Sequence, residues 1–173
     1  MLRRRRHERA GFTLYAAAVA AARRPYFYTA LGVPDTLDGR FDLIGLHAAL
    51  LIRRLRLLPE PGPTLAQAVF DAMFSDMDIA LREMGVGDMS VGKKVKTMWE
   101  AFHGRAAAYE AALGTGDADA LTGALARNVW RGAAPDGVAD RLAAHILAQD
   151  ARLADQALED LTCGDVTFMN PEA

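Results

Sequence analysis

The chain has 173 residues, 51% hydrophobic and 24% charged, the balance expected of one soluble globular domain with a substantial core. Its net charge of −2 hides an asymmetry: residues 1–58 carry eleven Arg and four acids, a net of +7, and residues 59–173 a net of −9. The basic end implies a phosphate-bearing partner, nucleic acid or anionic lipid, while a single cysteine, Cys163, excludes an internal disulfide framework and fits a reducing compartment.

β-Branched residues are sparse and alanine abounds, so the chain reads as all-α, a single-domain bundle of about six helices. Residues 1–11 read as a disordered basic arm whose Arg3, Arg4, Arg5, Arg6 and Arg9 would tether the protein electrostatically to a membrane or ribosome surface. The apolar run Ala10–Ala22 has signal-peptide length. Yet Arg23-Arg24 and Pro25-Tyr26-Phe27-Tyr28 follow it without a flexible break, and Phe12, Tyr15 and Val19 recur at helical spacing. A mature helix over Phe12–Arg24, stopped by Pro25, is the better reading. No apolar run reaches the ~20 residues of a membrane span.

After a turn at Gly32-Val33-Pro34, a second helix is expected over Asp38–Leu58, with Phe41, Ile44, Ala48, Leu51 and Leu55 on its apolar face. It should end at Pro59-Glu60-Pro61-Gly62-Pro63. Thr64 and Gln67 stand at capping-box spacing before a third helix, whose Phe70, Phe74, Met77, Leu81 and Met84 form a bundle seam ended by Gly85 and Gly87. A fourth helix spans about Ser90–Leu113, a fifth Asp117–Trp130 with Asp117 as its cap, and a sixth about Val138–Leu161. The helical domain therefore covers 12–161, and residues 162–173 read as a loose tail.

Chemistry-bearing patterns are few. Gly87-Asp88-Met89-Ser90-Val91-Gly92-Lys93 has phosphate-loop spacing, but Lys94 replaces the required Ser or Thr and no strand precedes it. Asp71 and Asp78 share one face of the third helix, and Asp76 and Glu83 another, so they do not converge as a metal site or carboxylate pair would. Four scattered histidines give no zinc spacing, and His47 reads as a hydrogen-bonded core residue. No catalytic constellation is present in the pattern, which points away from an enzyme. Lys93, Lys94 and Lys96 stand in the first turns of the fourth helix, where the macrodipole disfavours cations. They are either screened surface charges or a basic patch for acidic lipid, RNA or peptide. Met73, Met77, Met84, Met89 and Met98 fill the core or line an adaptable surface for an apolar partner.

The segments Gly32-Val33-Pro34-Asp35-Thr36, Asp38-Gly39-Arg40-Phe41-Asp42, Phe70 to Asp78, Leu81 to Asp88, Val91 to Lys96 and Phe102-His103-Gly104-Arg105 resemble the ubiquinol–cytochrome c chaperone family. The resemblance covers about residues 12–131. It implies a bacterial assembly factor, without cofactor or metal, that binds newly synthesised cytochrome b and promotes its maturation into the bc1 complex. It further implies a small partner assembly factor, contact with the ribosome, and a cytoplasmic position peripheral to the inner face of the membrane. By carry-over, the client or partner surface would comprise Asp71, Asp76, Asp78, Glu83, Asp88, Lys93, Lys94 and Lys96. Two readings of other classes stand beside it: an RNA- or ribosome-binding helical adaptor, and a small helical metal-binding protein.

Overall fold

The computed structural model describes residues 2–172, with side chains from residue 5 onward, and every regular element among them is helical. In chain order these are α1 (Leu2–Ala22), α2 (Pro25–Thr29), α3 (Leu37–Arg56), α4 (Gly62–Glu83), α5 (Asp88–Thr115), α6 (Ala118–Trp130), α7 (Val138–Ala154) and α8 (Leu158–Cys163). Six are long, as expected; α8 is a short piece that the sequence pattern did not separate from α7, and α2 one that it did not assign to a helix. None of the described helices is long and apolar enough to cross a membrane.

α3 is the axis of the bundle. Every residue from 42 to 51 is buried, so this helix is covered on all sides rather than along one stripe. α1, α4, α5, α6 and α7 pack around it. Its start is fixed by Thr36, whose hydroxyl accepts a hydrogen bond from the Gly39 amide at 3.2 Å. Gly39 itself must lack a side chain, because a Cβ there would run into the Pro34 carbonyl.

α1 begins at Leu2, not at Phe12, so Arg5, Arg6 and Arg9 stand on its first turns rather than in a disordered arm. Arginine is a good helix former, and the alanine-rich continuation propagates the helix. Of Arg3 and Arg4 only the helical backbone is described. α1 lies along α4 and approaches it so closely at Gly11 that an added Cβ would sit 2.7 Å from the Ala68 carbonyl carbon. Glycine at this crossing is what permits the contact. The first helix does stop before Pro25, as expected, and Pro25 then opens α2 as its first residue, where a missing N–H costs nothing. α2 buries Phe27 and thereby closes one end of the core.

The expected Thr64–Gln67 capping box does not form. α4 starts at Gly62 with Pro63 in its first turn, so Thr64 is already helical and donates to the Glu60 carboxylate at 2.9 Å. Gln67 reaches forward to Asp71 instead, at 2.7 Å. Asp117 does cap α6, accepting from the Ala120 amide at 2.9 Å.

The expected sixth helix breaks at 155–157, and the segment after α8 is docked, not loose. Phe168 is buried with its ring 5.7 Å from that of His47, and His47 packs edge-on to Phe27 at 5.4 Å. Side chains hold the backbone of this segment. Gln156 accepts from the Thr167 amide at 2.8 Å and donates to the Thr167 carbonyl at 2.9 Å. The Gln149 side-chain carbonyl accepts from the Met169 amide at 2.6 Å, and Arg24 donates to the Met169 carbonyl. A terminal segment with its polar backbone groups satisfied and an aromatic anchor buried no longer behaves as a free end. His47 is neutral in this setting: burial pushes its pKa down to about 4, opposed by the Nδ1 contact with the Leu43 carbonyl at 2.8 Å.

Candidate functional site

The structure disperses the acids of α4. Asp71 is exposed and engaged by Gln67, on the side of α4 that faces α1. Asp76 accepts a 2.7 Å hydrogen bond from the Tyr15 hydroxyl on α1, so it ties two helices together. Burial, then this carboxylate, raise the Tyr15 pKa well beyond the usual phenol range. Asp78 pairs with Arg82 one turn on, at 2.7 Å, and Arg82 also holds Asp88 across the α4–α5 turn. Glu83 is exposed at the end of α4. Among the described residues no group of three or more His, Cys, Asp or Glu side chains is placed to hold a metal ion.

Lys93, Lys94 and Lys96 are exposed on the first turns of α5, with Lys96 3.8 Å from Glu100. They stand beside the outer end of the α4–α5 hairpin. Arg6 lies near Glu60 and Thr64, at the other end of α4. The length of α4, roughly 30 Å, therefore separates the two basic regions, and they do not form one patch. The phosphate-loop lookalike is also resolved: Gly87 is the cap of α5, and residues 88–93 are helical, so no cradle of backbone amides exists there.

Two motif segments that are 63 residues apart in sequence meet through a buried charge. Asp42, on α3, has a side chain only 1% exposed and receives Arg105 of α5 and Arg131 of α6, the latter at 2.7 Å. Burial raises the Asp42 pKa, while the Arg131 hydrogen bond and the charge of Arg105 oppose that rise. A buried carboxylate with two guanidinium partners orients three helices at one point, and removing it would leave cations facing an apolar wall. Arg131 reaches this position from a left-handed backbone at the end of α6, φ 56°. The Arg105 guanidinium also lies over the Phe41 ring, 5.8 Å from its centroid.

Next to this clamp lies a cleft of about 450 Å³ between α3, α4 and α5. Its floor is Leu46, Leu50, Ala66 and Phe102, and one wall is an aromatic cluster. Phe70 stacks on Phe74 at 4.7 Å and meets Phe102 at 5.9 Å and His103 at 5.5 Å. Trp99 covers His103 at 4.1 Å and remains 46% exposed. Arg53, Arg56 and Glu110 lie on the rim, with Arg53 anchored to Asp150 of α7 at 2.6 Å. Tyr109 closes the deep side, and its burial pushes its pKa up to about 12, so it stays a neutral phenol. An apolar, aromatic-walled cleft with a sparse polar rim suits an apolar segment of another molecule.

None of the acids or lysines named from the sequence, Asp71, Asp76, Asp78, Glu83, Asp88, Lys93, Lys94 and Lys96, lines this cleft. Sequence reasoning placed Phe70 and Phe74 in the bundle seam, named Phe102 and His103 within a family segment, and passed over Trp99 and Arg53. A signal did exist: Trp99 and His103 are four residues apart on one helix, beside the buried Phe102.

The sequence model of the ubiquinol-cytochrome C chaperone family matches residues 29–168. Protein CBP3, mitochondrial, of Saccharomyces cerevisiae is 32% identical over 109 residues, which is 61% of this chain and 31% of the yeast protein. The chain thus spans less than a third of that relative's length. The crystal structure of the Cbp3 homolog from Brucella abortus matches with a TM-score of 0.87 at 36% identity, covering 97% of this chain and 93% of that one. The match extends past residue 131, where the resemblance seen in the sequence stopped, and takes in α7, α8 and Phe168. It includes Asp42, Arg105 and Arg131 and the whole aromatic cleft. This chain belongs to the ubiquinol-cytochrome C chaperone family.

Proposed function

We propose that the protein is an assembly chaperone for the ubiquinol–cytochrome c reductase (bc1) complex, holding an apolar segment of newly synthesised cytochrome b in the cleft between α3, α4 and α5. The observation that carries this reading is the aromatic wall formed by Phe70, Trp99 and His103 over an apolar floor. Such a surface binds through area and shape, with few directional bonds, which suits a client that must later be released to its complex. Membership of a chaperone family supports this reading of the protein as a binder. It would act at the cytoplasmic face of a bacterial membrane, with a small partner factor or the ribosome as further contacts. Asp71, Asp76, Asp78, Glu83 and Asp88 would serve such contacts from outside the cleft.

A photo-crosslinker at Trp99 should capture cytochrome b during its synthesis, and deleting the gene should deplete assembled bc1 complex while other respiratory complexes persist. Normal bc1 levels in the deletion strain, or capture that is unchanged when the probe is moved from Trp99 to the far surface at Ala151, would overturn the proposal.

A further inference from the structure

The outer end of the α4–α5 hairpin is built unlike the rest of the molecule. Its buried side chains, Leu81 and Val91, lie outside the main core cluster, so the tip has only a small contact of its own. The turn reads Met84-Gly85-Val86-Gly87-Asp88-Met89, and at Gly85, Gly87 and Gly92 an added Cβ would meet nothing within 4 Å. The tip is therefore free-standing and narrow. Met84 is 52% exposed and Met89 is 99% exposed, the most solvent-exposed large apolar side chain among those described.

Charge is arranged around these methionines in a definite way. Arg82 engages both Asp78 and Asp88, which neutralises the acid in the turn. Glu83 is the remaining acid at the end of α4. From Met89 to Trp99 the α5 strand of the hairpin carries Lys93, Lys94 and Lys96 and no acid, with Glu100 following. By the 3.6-residue repeat, Met89, Lys93 and Lys96 fall on one face, opposite the buried Val91. The shape also decides between partners. A cleft accepts a side chain or a helix, whereas a convex apolar tip collared by lysines finds its complement in a soft, anionic surface.

We propose that this tip docks on a bilayer rich in anionic lipid, with Met84 and Met89 sunk at the acyl boundary and Lys93, Lys94 and Lys96 on the headgroup phosphates. Trp99 lies ten residues, about 15 Å of helix, beyond Met89 and one turn beyond Lys96, so docking would hold the aromatic cleft just above the headgroups, within reach of a segment leaving the membrane. The tip would be the anchor, and the arginines of α1, at the far end of α4, would face away from the bilayer.

Flotation of the full chain with vesicles tests this without any client, so its outcome is separate from that of the cleft. The native protein should float with vesicles of about one-third phosphatidylglycerol and stay behind with pure phosphatidylcholine. Met89→Asp, at a fully exposed site, should abolish flotation. Lys93→Gln with Lys94→Gln and Lys96→Gln should weaken it by roughly a hundred-fold, at about five-fold per lysine. Arg5→Gln with Arg6→Gln and Arg9→Gln should leave it unchanged. A polarity-sensitive dye on Met89→Cys in a Cys163→Ser background should shift to the blue only with the anionic vesicles. Flotation that survives Met89→Asp, depends on the α1 arginines, or fails with every vesicle would overturn the proposal. So would a structured RNA that binds through the same lysines in place of the vesicles.

Discussion

The α4–α5 hairpin has two halves made from the same two helices, and they obey different rules. In the inner half, Phe102 is buried, Phe70 touches both it and the open cleft, and Phe74 packs behind them. In the outer half, Met84 and Met89 face solvent and only Leu81 and Val91 are covered. Aromatic rings that serve core and cleft together cannot be altered for binding without a cost in stability. Methionines that face solvent are open to change. The comparison teaches that this fold separates a cleft tied to the core from a tip free of it along a single pair of helices.

The sharpest way to break that contrast is Phe102→Ala. It should cost about 4 kcal/mol, as for a large buried aromatic, and lower the midpoint of thermal unfolding by roughly 12 °C in a chain of this size. A loss below about 1 kcal/mol would mean that the inner half is not tied to the core.

Acid should weaken the core more than the tip. His47 titrates at about 4 in the folded state against about 6.5 unfolded, so the unfolded chain binds the proton first. Stability is complete above about pH 6.5 and falls by about 3 kcal/mol as pH drops through 4. Denaturant titrations across that window should show the slope in the native chain and a flatter profile in His47→Gln. Equal profiles would place the acid sensitivity elsewhere, for instance at His145, whose pKa burial also lowers.

Asp42→Asn should cost about 2 kcal/mol by calorimetry, since it leaves Arg105 and Arg131 facing a neutral amide while their partial exposure lets water reach them. The smallest effect belongs to the outer half. Met89→Ser should change stability by less than about 0.5 kcal/mol in the same measurement. A larger change would show that the tip packs on something.

The cap at Asp117 and the central apolar helix were legible from local pattern alone, but the expected seam of α4 was only partly right: Met77 and Leu81 are buried, Met84 is 52% exposed, and the buried stripe runs through Val69 and Met73. The cleft was not legible, because its wall is assembled from Phe70 on one helix and Trp99 on the next, and periodicity places each residue only on its own helix. Asp42 was visible as part of a motif, but its partners lie 63 and 89 residues away, a pairing that no local pattern encodes. The acids of α4 were read as a shared surface. Asp76, however, is committed to Tyr15 on α1, a contact that depends on how two helices cross at Gly11. The tail misled for a related reason: its hydrogen bonds come from glutamine side chains, so it carries neither the period of a helix nor that of a strand.

Those glutamines leave a mark that secondary structure would not suggest. The amide hydrogens of Thr167 and Met169 are held by Gln156 and Gln149 in a stretch with no helix or sheet around it. Their exchange with deuterated solvent should be slow, while that of their neighbour Asn170 is fast. In an exchange map the chain would show two protected positions in an otherwise irregular segment, the imprint of two side chains acting in place of a neighbouring strand.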